Sequence, residues 1–153
     1  MGKSSITYTS LHAALESLDK ALNHFDNVKH LDDSVDLPGK VAFDDIYTAA
    51  RDSLIQRFEF CIELFWKHLK NFLEQEKYVQ ISSNTPRDVI REGCKAQIFS
   101  EHDAQVLIAM FKSRNFTSHL YKEEMADVIA KKIPSYFILL KTMTELLSNT
   151  SWA

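Results

Sequence analysis

Residues 43–76 read FDDIYTAARDSLIQRFEFCIELFWKHLKNFLEQE, with no Gly or Pro anywhere in the stretch. Ile46, Tyr47, Ala50, Leu54, Phe58, Cys61, Phe65, Leu69 and Phe72 recur at spacings of three and four, the period of one helix face. One long amphipathic helix is predicted, and it needs other elements to cover its apolar side. The whole chain has only three Gly and three Pro in 153 residues, too few tight-turn positions for a sandwich, a barrel or a parallel sheet. The partners of this helix are therefore expected to be helices.

Working outward, Leu11, Leu15, Leu18, Leu22 and Phe25 keep the same period, so residues 9 to 30 read as a helix capped by Thr9 or Ser10. A connector from Leu31 follows and ends in Pro38-Gly39. Beyond the long helix, residues 78–85 lose the period, and Thr85-Pro86-Arg87-Asp88 reads as an N-cap with Pro at the first helical position. A short helix to about Ala96 is predicted. Ser100 caps the next one, with Glu101 and Asp103 in its first turn and Ala104, Leu107, Ile108 and Phe111 on its apolar side. From Met125 to Leu147 another stripe runs through Val128, Ile129, Ile133, Tyr136, Phe137, Leu140 and Met143, with a kink expected at Pro134. The sum is an all-α, up-down antiparallel bundle of four main helices plus a short helix. One domain over 1–153 is expected, ordered from about 9 to 147, with residues 148–153 as a frayed tail.

A net charge of -3 gives no global footprint for duplex DNA. No apolar run approaches a membrane span or a signal peptide, and Ile6 stands where a myristoylation start wants Ser or Thr. The chain reads as soluble and cytoplasmic. Cys61 and Cys94 lie in helical segments without CxxC spacing, as buried free thiols of a reducing compartment would. No Glu-x-x-His, His-Glu-x-x-His, Gly-x-Ser-x-Gly or phosphate loop occurs, so no metal or cofactor is expected.

Two constellations remain. On the long helix, a step of about 100° per residue puts Asp52, Gln56, Glu59, Glu63, Trp66 and Lys70 in one stripe. It is either a solvated face with pairs such as Glu63 and Lys67 or an interface, and the indole of Trp66 favours the interface. The second is Arg114-Asn115-Phe116-Thr117-Ser118-His119-Leu120-Tyr121, a dense polar run where two helices should meet. Spacing alone favours a structural role, with Arg114 paired to an acid, His119 capping a helix and Tyr121 packing at the bundle end. The same groups suit metal-free cleavage of RNA. A His exchanges protons with the 2'-hydroxyl and the leaving 5'-oxygen, and an Arg meets the phosphate charge. On a continuous helix Arg114 and His119 point about 140° apart, so joint action requires a helix break or a second subunit.

Gln56-Arg57-Phe58-Glu59-Phe60, Glu63-Leu64-Phe65-Trp66-Lys67-His68-Leu69-Lys70, Thr85 to Glu92 and Arg114 to Tyr121 resemble, in that order, the nucleotidyltransferase substrate-binding family, a branch of the HEPN superfamily. The resemblance spans about residues 10 to 145. It implies a helical bundle, usually a homodimer, encoded beside a minimal nucleotidyltransferase with which it associates. Related HEPN proteins are toxins of toxin-antitoxin pairs, metal-independent RNases with an Arg-x4-His motif near the dimer interface. That motif falls on Arg114 and His119, with Asn115 and Ser118 in support and Glu59 or Glu63 to orient His119 or pair with Arg114. In the same systems the partner attaches AMP to a Tyr two residues past the His, the position of Tyr121. Gln56, Trp66 and Lys70 are the expected interface residues.

Overall fold

The computed structural model describes residues 3–31, 42–119 and 123–148, with side chains described over 5–31, 42–113 and 123–148. Five helices account for nearly all of this. They are α1 (Lys3–Lys29), α2 (Phe43–Glu76), α3 (Pro86–Lys95), α4 (Glu101–His119) and α5 (Glu123–Ser148). The connector expected after Leu31 and the expected tail lie outside the described residues.

The bundle is organised around α2, which touches all four other helices and has its broadest interface with α1. Thr7 meets His68, Ser17 meets Arg57 and Phe25 meets Tyr47, so α1 and α2 run antiparallel along their whole overlap. Tyr47 meets Asp127, and Phe58 stacks on Tyr136 at 5.7 Å further along both helices, so α2 and α5 run parallel. That is the relation of the second and fourth members of an up-down bundle. The short α3 carries the chain from α2 to α4.

Leu11, Leu18, Leu54, Phe58, Phe65, Leu69, Leu107 and Leu140 are all at most 1% exposed and define one continuous core. These are positions the 3.6-residue period selects. The caps formed as the sequence implies: Thr85 Oγ1 accepts from the Asp88 backbone N–H at 3.3 Å, and Ser100 Oγ from that of Asp103 at 3.1 Å. One boundary differs. Helix α1 starts at Lys3 rather than near Thr9, because Thr7 hydrogen-bonds His68 across the interface at 2.7 Å and holds the extra turns. Helix α5 runs unbroken through Pro134.

Candidate functional site

Helix α4 has no Gly or Pro, buries Ala104, Leu107, Met110 and Phe111 against its neighbours, and continues to His119. The backbone is therefore helical from Arg114 to His119, and the break between them that a one-chain site would need is absent. The side chains of Arg114, Asn115, Ser118 and His119, and Tyr121 altogether, lie outside the described residues. The motif closes α4, and α5 begins four residues later at Glu123, at most about 15 Å of chain away.

At this end of the bundle stands a cluster that sequence reasoning missed. Arg51 of α2 is only 1% exposed, although its guanidinium stays charged at every accessible pH. Its Nη1 donates to Glu123 Oε2 at 2.9 Å and to Asp127 Oδ1 at 3.0 Å, both on α5. Its Nε and Nη2 donate to Asp52 Oδ1, each at 3.2 Å. The Tyr47 hydroxyl donates to the same Asp127 oxygen at 3.1 Å. Burial first, and this bond second, push the Tyr47 phenol above its ordinary range, so it remains a donor. A charge taken out of water costs several kcal/mol unless compensated, and three carboxylates supply that compensation here. The sequence did carry a signal. Arg51 falls four residues after Tyr47 and three before Leu54, inside the buried face of α2, and Glu123 and Asp127 share one face of α5.

The stripe on α2 divides into different environments. Asp52 belongs to the Arg51 cluster, and Gln56 is exposed along a groove between α1 and α2 that Arg57 crosses to reach Ser17. Glu63 pairs with Lys67 at 3.3 Å, and Lys70 donates to Asn84 at 3.1 Å. Glu59 and Glu63 are half-buried and engaged in polar contacts. They lie eight and twelve residues beyond Arg51 along α2, about 12 and 18 Å of helix rise. The structure corrects the reading of Trp66 as an interface residue. It is 6% exposed and belongs to the core, because α2 sits at the centre of the bundle and its buried arc is wider than one stripe.

Among the described residues no group of His, Cys, Asp and Glu is arranged to hold a metal ion, and no helix is long and apolar enough to cross a membrane. Cys61 and Cys94 are both free. Burial pushes the Cys61 thiol up to about 12, which makes it a core residue with no thiolate chemistry.

Fold and site together define a helical bundle whose fourth helix ends in an Arg-x4-His run and whose fifth helix starts at a buried arginine cluster. Residues 7–149 match the family described as nucleotidyltransferase substrate binding protein like, and the chain belongs to that family. A Haemophilus influenzae protein, whose structure revealed the fold of a substrate binding domain of a nucleotidyltransferase, superimposes with a TM-score of 0.72 at 25% identity, covering 93% of this chain and 99% of its own. A Thermus thermophilus protein gives a TM-score of 0.62 at 27% identity over 85% of this chain and 98% of its own. The tri-AMPylated Shewanella oneidensis HEPN toxin, solved in complex with its MNT antitoxin, shares the fold at a TM-score of 0.65 and 13% identity, over 98% of this chain and 100% of its own. No curated protein is a significant match.

Proposed function

We propose that this chain is the HEPN-type partner of a minimal nucleotidyltransferase and the RNase toxin of a toxin-antitoxin pair, silenced by AMPylation at Tyr121. The observation that carries the reading is the sequence run Arg114-x4-His119-x-Tyr121, whose Arg114 and His119 lie in the last turns of α4, in a chain of this family and with the fold of an AMPylated toxin. His119 takes the proton of an RNA 2'-hydroxyl, whose oxygen attacks the adjacent phosphorus, and a proton returns to the departing 5'-oxygen. Arg114 meets the charge that builds on the non-bridging oxygens. Continuity of α4 leaves the two residues about 140° apart around its axis, which supports a site completed by a second copy of the chain. AMP on Tyr121 adds negative charge and bulk where an RNA phosphate must sit. The protein then acts as a cytoplasmic homodimer without a metal. The test is cleavage of RNA by the isolated protein in a chelator. Activity lost in His119→Ala is the expected result, and intact RNA with the unmodified wild type rejects the reading.

A second reading, a non-catalytic subunit that presents substrate or nucleotide to the nucleotidyltransferase, is favoured by the 25% identity to a protein described as such a substrate binding domain. Under it, Arg114→Ala weakens binding of a phosphate-bearing ligand, and no RNA is cut.

A further inference from the structure

We propose that Arg51 is a positioning residue for the chemistry of the Arg114–Tyr121 run, acting through the first two turns of α5. The inference rests on the functional reading above for its consequence, but its physical core stands on the Arg51 cluster alone.

The apolar face of α2 already secures that helix against α1 and α5, and a buried aliphatic side chain of similar volume would pack at position 51 without desolvating a charge. A buried ion cluster is weak evidence for stability, and its better-attested use is to select one arrangement among several. Here the arrangement selected is specific. The guanidinium reaches across from α2 to Glu123 in the first turn of α5 and to Asp127 one turn later, while Asp52 holds its other edge in plane. Two bonds from one planar fork, to residues four apart on a helix, fix both the rotation of α5 about its axis and its height along α2. Tyr47 adds a second tie to Asp127.

This matters for the motif because the chain between α4 and α5 is short. His119 ends α4 and Glu123 starts α5, so three residues of chain separate the helix that carries Arg114 and His119 from the anchor that Arg51 holds. If α5 turns or slides, that anchor moves with it. Misplacement of a reacting group by about 1 Å is enough to cost a hundredfold in rate.

The substitution that tests this is Arg51→Met, which keeps bulk and helix propensity but removes the fork. The three carboxylates left behind are 44 to 68% exposed and return readily to water, so the bundle is expected to fold. Two measurements are made on the full-length chain. In hydrogen-deuterium exchange, peptides spanning residues 112–126 are expected to exchange roughly tenfold or more faster than in wild type, while peptides from α3 stay unchanged. In AMPylation by the nucleotidyltransferase, kcat is expected to fall roughly tenfold or more with little change in KM for the chain, and Arg51→Lys is expected to recover part of the loss. Unchanged exchange over 112–126 overturns the proposal, as does a loss of kcat in Arg51→Met that Arg51→Lys fails to lessen. If the wild type is neither AMPylated nor active on RNA, the functional reading fails, and the exchange measurement still decides whether Arg51 positions the α4–α5 junction.

Discussion

His68 gives this fold a defined acid sensitivity. The imidazole is fully buried in α2, with Nδ1 2.7 Å from Thr7 Oγ1 of α1 and the Tyr8 ring centred 5.7 Å away. Burial disfavours the imidazolium and pulls its pKa from 6.5 to about 4. Because the folded pKa lies below the unfolded one, the unfolded chain binds the proton first as pH drops. The stabilisation from the neutral ring is complete above pH 6.5 and is lost progressively as pH falls toward 4. A separation of this size corresponds to about 3 kcal/mol in full, of which about 2 kcal/mol is gone by about pH 5. Urea unfolding at about pH 7.5 and about pH 5, on wild type and on His68→Gln, isolates the contribution because all other titrating groups are common to both. The wild type is expected to lose about 2 kcal/mol more than the variant between the two conditions. Equal losses would show that His68 carries a proton in the folded state and that the burial argument is wrong.

Other perturbations test the local geometry. Gly93 packs under Phe99, whose Cζ would stand 2.6 Å from an added Cβ, so Gly93→Ala is expected to destabilise by about 1 to 3 kcal/mol despite the better helix propensity of Ala. Adding Phe99→Leu should recover much of that in a thermal melt. Gln97 follows the α3 C-cap at φ 62°, where its N–H bonds Cys94 O at 3.0 Å and that of Ile98 bonds Gly93 O at 3.1 Å, the closing pair of a Schellman turn. Gln97→Gly should raise the denaturation midpoint by an amount equivalent to about 1 kcal/mol. Removing the α3 cap with Thr85→Ala should cost about 1 kcal/mol in the same assay.

The helices could be read from sequence because their signals are local. Periodicity gave the core of α2, and Thr85-Pro86 and Ser100 gave the starts of α3 and α4. What escaped is what depends on neighbours. The first two turns of α1 carry no apolar period and are held by the Thr7–His68 contact, sixty-one residues apart in sequence. Trp66 falls outside the single apolar stripe that periodicity picks out, and only the packing of a central helix, covered on several sides, buries it. Arg51 was overlooked because an Arg in an apolar face reads as a flaw in the pattern until its acids, more than seventy residues away on α5, are known. The Arg114–Tyr121 run was visible as a polar cluster, but spacing alone favoured a capping role. The resemblance is what points to a functional role for it, and the family match bears out the family alone.

Under the proposed function this chain is both the partner and the AMP-accepting substrate of a nucleotidyltransferase. Intact-mass and peptide mass spectrometry of the chain coexpressed with that enzyme tests it most directly. The expected result is a copurifying complex and AMP on Tyr121, lost in Tyr121→Phe; a chain that neither copurifies nor acquires AMP on any residue would contradict the claim.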